Sequence, residues 1–252
     1  MTILYFTATG NCLHVAKKIG GKLYSIPQME KNNQYMFEDE SIGLVFPDYG
    51  LCVPPYINEF LHKVQFKCNY LFAVITYGFF SGGVTNHLLD IADERNIGFS
   101  YVNKLKMVEN YLPGFEMQKE KKKEKKKNID ENLKKIISDI TKRKLWICQD
   151  SWLSKILTQV HQKSYGYDIG IGETKKYHIE DACKECKICE QVCPMNNISI
   201  ENGKPVFSNR CCSCLSCIQN CPEKAIRIDG EKSIERYRNS DIGLDEIIAS
   251  NR

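Results

Sequence analysis

Three short apolar runs near the start of the chain have the composition of buried β-strands. They are Thr2–Phe6, Ser41–Phe46 and Tyr70–Ile75, and turn residues follow each of them. The first run leads through a short loop into Leu13–Ile19, where apolar residues recur with helical periodicity. The pattern predicts an α/β unit over residues 1–115, with a loop at the carboxyl end of each of these strands.

The middle of the chain has the periodicity of amphipathic helices. One helix is predicted from about residue 118 to 144, because five apolar residues fall at helical spacing: Ile129, Leu133, Ile136, Ile137 and Ile140. A second is predicted around Trp152, Leu153, Ile156, Leu157 and Val160. We expect both apolar faces to pack on the sheet or on the C-terminal region, which would make this connector a rigid bracket.

Composition and charge narrow the class of protein. The 252 residues, 42% of them hydrophobic, can form one full domain and a smaller one. The net charge of +4 is concentrated in the middle, where Lys119–Lys127 contains seven lysines and two glutamates. We interpret this run as a solvated helix face, the alternative being a landing patch for an acidic redox partner. Nucleic acid is not expected as a partner, since no aromatic residues alternate with the lysines.

The ends and the longest apolar stretch indicate where the protein works. The N-terminus enters a strand-like run without a basic region or an apolar signal helix. The stretch Tyr70–Phe80 is too short and too polar to span a bilayer. We therefore expect no membrane span and a cytoplasmic, reducing location.

Two cysteine blocks near the C-terminus repeat one spacing. Each is C-x-x-C-x-x-C-x-x-x-C-P, and the eight cysteines are Cys183, Cys186, Cys189 and Cys193, then Cys211, Cys214, Cys217 and Cys221. A zinc site would require two C-x-x-C pairs separated by a longer loop, and a disulfide framework would require an oxidising compartment. Both alternatives are disfavoured, and the spacing indicates iron–sulfur clusters.

This spacing resembles the ligand run of bacterial two-cluster ferredoxins, in which the fourth cysteine binds the other cluster. The resemblance implies that one [4Fe-4S] cluster is held by Cys183, Cys186, Cys189 and Cys221. The second would be held by Cys211, Cys214, Cys217 and Cys193. Cys212 is out of phase and is interpreted as a spare thiol, while four scattered cysteines are interpreted as buried apolar residues: Cys12, Cys52, Cys68 and Cys148.

The loop after the first strand predicts an anion site. It consists of Thr7, Ala8, Thr9, Gly10, Asn11 and Cys12. Threonine hydroxyls, a glycine and the N-terminus of the following helix can together bind a phosphate. The loop is neither a Walker loop nor a dinucleotide fingerprint, because it lacks Gly-Lys-[Ser/Thr] and the G-x-G-x-x-G spacing. An ordinary helix cap is the alternative.

The run from Thr7 to Asn11 resembles the phosphate-binding loop of flavodoxins, which bind flavin mononucleotide (FMN). Cys12 departs from that pattern, since a threonine is usual there. Two further loops lie where a flavodoxin-like sheet would place flavin contacts. They supply Pro47, Asp48, Tyr49 and Gly50, and then Thr76, Tyr77, Gly78, Phe79, Gly82 and Gly83. Tyr49 and Tyr77 could stack on the isoalloxazine ring.

Taken together, the two halves resemble fused flavodoxin–ferredoxin proteins of anaerobes, and the tail Glu235–Asn239 is part of that resemblance. It implies an α/β fold with a doubly wound parallel sheet of five strands in the order 2-1-3-4-5, a helical connector and a small α+β two-cluster unit. The predicted boundaries are 1–115, 116–175, 176–232 and, for a tail that packs back, 233–252.

Three hypotheses for function follow. The favoured one is an electron-transfer iron–sulfur flavoprotein that passes electrons between FMN, two [4Fe-4S] clusters and a redox partner protein, such as a ferredoxin-dependent or flavin-dependent oxidoreductase. No catalytic acid, base or nucleophile is predicted. The alternatives are a reductase of a small acceptor, such as a quinone, nitro compound or ferric chelate, and a redox-sensing interaction protein. The sequence leaves the direction of electron flow and the oligomeric state open.

Overall fold

The computed structural model of the protein describes residues 1–165 and 174–252. Residues 166–173, which belong to the predicted connector, lie outside this description. The described chain is of mixed α/β type, with one large parallel sheet and three smaller two-stranded sheets.

Twelve strands are described. Six form the large sheet, namely β1 (Thr2–Tyr5), β2 (Lys22–Ser25), β4 (Ser41–Pro47), β6 (Tyr70–Tyr77), β7 (Tyr101–Lys106) and β8 (Trp146–Ile147). The other six are β3 (Met36–Glu38), β5 (Gln65–Lys67), β9 (Tyr177–Ile179), β10 (Ile198–Glu201), β11 (Lys204–Phe207) and β12 (Ile226–Ile228). The order in the large sheet is β2-β1-β4-β6-β7-β8, and every neighbouring pair in it is parallel.

Helices connect these strands. The first four are α1 (Asn11–Ile19), α2 (Ile26–Lys31), α3 (Pro55–Lys63) and α4 (Val84–Glu94). The connector contains α5 (Met117–Lys123), a 3₁₀ turn (Glu124–Lys127), α6 (Ile129–Thr141) and α7 (Trp152–Tyr165). Three short ones follow, α8 (Ile188–Gln191), α9 (Ser216–Gln219) and α10 (Leu244–Asn251).

The large sheet is buried on both faces. Side chains alternate across a strand, so Ile3 and Tyr5 of β1 belong to one apolar cluster while Leu4 and Phe6 belong to another. The first cluster contains residues of α1 and α6, and the second contains residues of α2, α3 and α4. Helices therefore cover both faces, and loops at the strand ends are the positions left for function.

The large sheet has six described strands, whereas the resemblance implies five. The additional strand, β8, is only two residues long and pairs with Tyr101 and Val102 at the start of β7. Two residues are too few for a periodic hydrophobic pattern, so this strand carries no recognisable signal.

The predicted helix from 118 to 144 is interrupted. The segment α5 gives way to the 3₁₀ turn, and Asn128 then adopts a left-handed conformation with φ of 48° before α6 begins. Asparagine is one of the few residues that tolerate this conformation. The break turns the side chain of Lys127 inward, where its Nζ donates hydrogen bonds to the carbonyl oxygens of Gly78 and Met107.

The helix α7 lies with its polar side against the sheet loops. The backbone N–H of Gly83 donates to the Thr158 hydroxyl at 2.8 Å, and Ser154 and Thr158 are buried. The five apolar residues that the sequence places against a surface are exposed instead, from 43% at Leu157 to 72% at Trp152. The expectation that this face is buried is wrong, because polar contacts with the loop orient the helix.

The region from β9 to β12, called the C-terminal unit below, contains two antiparallel strand pairs, β10 with β11 and β9 with β12. Its apolar residues, among them Val192, Leu215 and Ile218, belong to the same cluster as Ile3 and Val15 of the sheet unit. The two units therefore share one continuous core. Within the described residues, no helix has the length and apolar character needed to cross a bilayer.

The last residues of the chain return to the N-terminal unit. The helix α10 packs near α2, where Gln28 donates to the carbonyl oxygen of Ala249 at 2.6 Å. Lys17 forms an ion pair with Glu246 at 2.6 Å, and Asn251 donates to the carbonyl oxygen of Thr7 at 3.5 Å. The tail thus covers the region around the end of β1.

Close packing in the middle of the sheet makes Gly43 a test of this fold. A Cβ atom there would lie 2.3 Å from Cζ of Phe72 and 2.8 Å from Cδ1 of Ile3. We expect Gly43→Val to lower the free energy of unfolding by about 1–3 kcal/mol through overpacking, measured by urea unfolding. Gly98→Ala is the control, because nothing lies within 4 Å of that position. Equal stability of the two variants would contradict the packing described.

Candidate iron–sulfur site

Two cavities in the C-terminal unit are lined by the cysteines of the two blocks. Cavity I, of about 360 Å³ including its open mouth, is lined by four of them: Cys183, Cys186, Cys189 and Cys221. Cavity II, of about 310 Å³, is lined by the other four: Cys193, Cys211, Cys214 and Cys217. Of these eight, each cavity therefore takes three from one block and the last one of the other, and these are the two sets that the resemblance implies. Cys212 also lines cavity II.

The two blocks fold in the same way. Glu185 and Lys187 in the first block have φ of 57° and 62°, and Ser213 and Leu215 at the equivalent positions have φ of 55° and 58°. Left-handed backbone is uncommon for such residues, and its repetition at fixed positions indicates a constraint imposed by function. Here it wraps the first two cysteines of each block around the cavity, and the third, Cys189 or Cys217, lies in the short helix α8 or α9 that follows.

Backbone N–H groups point at several of the sulfur atoms. Asn197 donates to Cys193 Sγ, and Ala225 donates to Cys221 Sγ, both at 3.3 Å. These two donors occupy equivalent positions, four residues after the last cysteine of each block. Hydrogen bonds to cluster sulfurs are one of the factors that set the reduction potential of a cluster. Because each cavity has one of these two donors, this factor would be similar for clusters bound in the two cavities.

The arrangement of donors favours a cluster over a single ion. Within residues 1–165 and 174–252, no three cysteine, histidine or acidic side chains converge closely enough to hold one metal ion. The cysteines of each cavity instead surround a volume. A [4Fe-4S] cluster accepts such a shell, whereas zinc needs its ligands within about 2.3 Å of one point. The residues present therefore fit two clusters.

Burial affects the protonation of these thiols. It raises the pKa of Cys189 to about 12 and that of Cys193 to about 11, and it raises the pKa of Cys217 well above the usual range. Without metal these thiols are protonated at neutral pH. Because a thiol that binds a metal ion is deprotonated, cluster binding would release protons and add to the stability of the fold.

The predicted phosphate loop, Thr7–Cys12, is buried throughout. Residues of the C-terminal unit and the tail form hydrogen bonds with its polar atoms. The carbonyl oxygen of Ala8 accepts from Ser216 Oγ and from Asn220 Nδ2, both at 3.0 Å. The carbonyl oxygen of Thr9 accepts from the Asn239 backbone at 2.8 Å. The loop thus serves as a contact between units.

Asn11 also binds the tail. Its Oδ1 accepts hydrogen bonds from Tyr237 Oη at 2.7 Å and Asn239 Nδ2 at 3.2 Å, while its Nδ2 donates to the carbonyl oxygen of Val108. Cys12 lies beside Thr76 at a distance of 3.1 Å between Sγ and Oγ1. The loop residues predicted for FMN are therefore brought together at the sheet edge, with the chain itself as their partner.

The glycines predicted to admit the flavin are covered by side chains. A Cβ atom at Gly10 would lie 3.0 Å from Asn239 and from Ile242, and one at Gly82 would lie 2.5–2.6 Å from Leu51 and Thr158. Glu109 covers Gly78 and His161 covers Gly50 in the same way. In this arrangement the chain itself covers these glycines, and the packing gives no support to a bound mononucleotide.

The remaining loop residues lie between the sheet edge and cavity II. The Tyr49 ring packs edge-on to Phe6 at 6.4 Å and in the same apolar cluster as Cys212. Burial raises the pKa of Tyr49 well above its usual range, and the thiols of Cys214 and Cys212 raise it further. Tyr49 therefore faces the second cysteine block.

Asp48 is a buried carboxyl group at the same edge. Its Oδ1 has no hydrogen-bond partner within the described part of the chain. Burial raises the pKa of Asp48 well above the usual range, and the Glu109 carboxylate raises it further.

The other residues predicted for these loops lie at the strand ends. Pro47 ends β4, and Tyr77 ends β6 with Lys106 Nζ 5.9 Å from its ring centroid. Phe79 is 64% exposed.

Sequence reasoning missed several residues of this region. Ser216 and Asn220 join the second block to Ala8, and Gln219 donates to the carbonyl oxygen of Asn110 at 2.7 Å. Cys212, predicted to be a spare thiol, is buried in the lining of cavity II. The feature of the sequence that could have indicated these contacts is that the second block, unlike the first, contains no charged residues.

Comparison with known proteins bears on the C-terminal unit. Residues 176–199 match the family described as 4Fe-4S binding domain, a segment that contains the first cysteine block. No curated protein and no solved structure matches the chain. The ferredoxin-type, iron–sulfur character of this unit is therefore supported, and with it a role in electron transport. The match does not extend to the N-terminal unit, so its flavodoxin-like character stays a prediction.

The two cavities can be tested separately. We expect Cys189→Ala to remove one ligand of cavity I and to lower the iron content of the reconstituted protein from about eight to about four per chain. Iron would be measured colorimetrically against protein concentration under anaerobic conditions. Cys68→Ala is the matched control, since Cys68 lies outside both cavities, and it should keep about eight. An unchanged iron content in Cys189→Ala would contradict the assignment.

Proposed function

We propose that this chain is an electron-transfer protein that holds two [4Fe-4S] clusters, one in each cavity. The observation that supports this most directly is the enclosure of each cavity by four cysteines drawn from both blocks. Each bound cluster would supply one-electron redox chemistry. The residues of the chain hold the clusters, direct N–H groups at the sulfurs and exclude water from part of each site.

The chain connects the two cavities over a short path. Cys189 lines cavity I and Cys193 lines cavity II, and the helix α8 lies next to both. Cys217 and Cys221 repeat this arrangement in the opposite sense beside α9. Four residues of helix advance about 6 Å, so each connection brings a ligand of one site close to a ligand of the other. This proximity suits electron exchange between the two sites.

Redox proteins are the expected partners. Carriers of this kind exchange electrons with the cofactors of other proteins, and the bound group performs the chemistry. Of the three hypotheses, the electron carrier is therefore the one that we favour. Saturable turnover of a quinone, nitro compound or ferric chelate without a partner protein would instead identify a reductase.

Reconstitution provides the main test. We expect anaerobic treatment with iron and sulfide to yield about eight irons per chain, and the product to accept about two electrons in a potentiometric titration followed by EPR spectroscopy. Four irons would contradict the two-cluster proposal. A full complement of iron without reversible reduction would contradict the electron-transfer role.

The predicted FMN stands apart from this proposal. A flavin relay would require the tail to move away from Gly10, and α7 to move away from Gly82. The flavodoxin-like resemblance supports the flavin, whereas the packing of Asn239, Ile242 and Thr158 does not. We therefore derive no electron-transfer step through a flavin.

The flavin content of the purified protein tests whether it binds FMN, as the flavodoxin-like resemblance implies, or does not, as the packing around the glycines suggests. We expect the purified protein to release much less than one flavin per chain on acid precipitation, as measured by fluorescence of the supernatant. Truncation after Ser233 would remove the contacts at Gly10 and serves as the comparison. One flavin per full-length chain would contradict the packing argument and restore the relay as the better hypothesis.

A further inference from the structure

The two cysteine blocks differ at the positions between their ligands. The first block has four charged residues there, and the second has uncharged residues at the equivalent places. In chain order the first set is Lys184, Glu185, Lys187 and Glu190, and the second is Cys212, Ser213, Leu215 and Ile218. Every member of the first set is exposed, whereas Cys212, Leu215 and Ile218 are buried. The two blocks therefore have similar backbone conformations, but these positions are exposed to solvent in the first and largely buried in the second.

The N-terminal unit is what buries the second block. Ser216 and Asn220 donate to the carbonyl oxygen of Ala8 at the end of β1. Cys212 belongs to the apolar cluster that includes Phe6, and Tyr49 packs against that cluster. Cavity II therefore lies next to the carboxyl edge of the sheet, and its four ligand-position cysteines are all buried or half-buried.

Cavity I faces outward. Cys186 is exposed, whereas Cys214 at the equivalent position of the second block is half-buried. The rim of cavity I includes Lys184 and Lys187, which flank Cys186. The acidic groups on the rim are Glu185, whose carboxylate lies over Gly203, and Glu223 on the side of Cys221. The rim therefore carries two positive and two negative side chains, and the lysines beside Cys186 are charges that substitution can remove.

We infer that cavity I is the outer site, where electrons are exchanged with a partner redox protein, and that cavity II is the inner site. This inference rests on the proposed function. It assigns an order to the two sites that their common spacing leaves open. Desolvation and fixed charge differ between the sites, and both affect how fast an external reactant reaches them.

Two inorganic probes of opposite charge test the inference on the full-length holoprotein. The dithionite-reduced protein would be mixed, in a stopped-flow instrument at low ionic strength, with limiting hexacyanoferrate(III) or hexaammineruthenium(III). One electron leaves the protein for each metal complex reduced, from Fe(III) to Fe(II) or from Ru(III) to Ru(II). We expect the double variant Lys184→Gln, Lys187→Gln to react about 3- to 10-fold more slowly with the anion and faster with the cation.

A matched variant removes the same charge from the other end of the sheet. Lys22 begins β2, and Lys142 follows α6 close to Lys144, whose carbonyl oxygen accepts from Tyr70 at the start of β6. Both residues thus lie at the amino edge of the sheet, outside the lining of both cavities. The variant Lys22→Gln, Lys142→Gln should leave both rates within about twofold of the wild-type protein, since a charge removed far from the site of electron exchange changes the potential there less than a charge removed beside it.

The outcomes separate the inference from the proposed function. Equal effects in the two double variants, or no effect in either, would overturn the outer assignment of cavity I. A protein without iron would overturn the proposed function first, because iron is measured before mixing.

EPR spectroscopy provides a second test. A soluble dysprosium chelate should relax the EPR signal more strongly in Cys217→Ala, which keeps cavity I, than in Cys189→Ala, which keeps cavity II. The reverse order would overturn the inference.

Discussion

The carbonyl oxygen of Ala8 is the contact on which the arrangement of the two units depends. It lies at the end of β1 and accepts hydrogen bonds from Ser216 and Asn220, which flank Cys217 in the second block. All three residues are buried, so undocking would expose apolar surface and leave these groups to water. Losing one partner of such a bond costs about 1–3 kcal/mol when the other stays buried. The position of cavity II is therefore set by the end of the first strand.

The sequence predicts local features of this protein well and contacts between units poorly. The grouping of Cys183, Cys186 and Cys189 at one cavity follows from the spacing within the first block, and the loops after β1, β4 and β6 follow from apolar runs with clear ends. The partner of the Thr7–Cys12 loop does not follow in this way. Asn239 lies more than two hundred residues from Thr9, and nothing in its surroundings in the sequence indicates a contact there.

The connector shows the same limit. Periodicity correctly indicates helices, but the sequence does not indicate that Lys127 differs from its neighbours. The 7% exposed side chain of Lys127 lies 3.8 Å from the Glu120 carboxylate, and it donates to two carbonyl oxygens in the loops after β6 and β7. Burial lowers the pKa of Lys127, and Glu120 opposes that effect. Such a contact depends on distant strands meeting at one edge, which composition cannot reveal.

Cys212 links the repeat in the sequence to the environment that the fold gives it. Its counterpart in the first block is Lys184, an exposed residue, and a lysine at position 212 would bring an ammonium group into the apolar cluster that packs against Tyr49. An unpaired charge in such a place is strongly unfavourable, whereas a thiol behaves as a small apolar group. The ninth cysteine of the region is thus explained by docking and needs no role as a ligand. The two blocks keep the residues that surround a cluster and differ where one of them meets the rest of the chain.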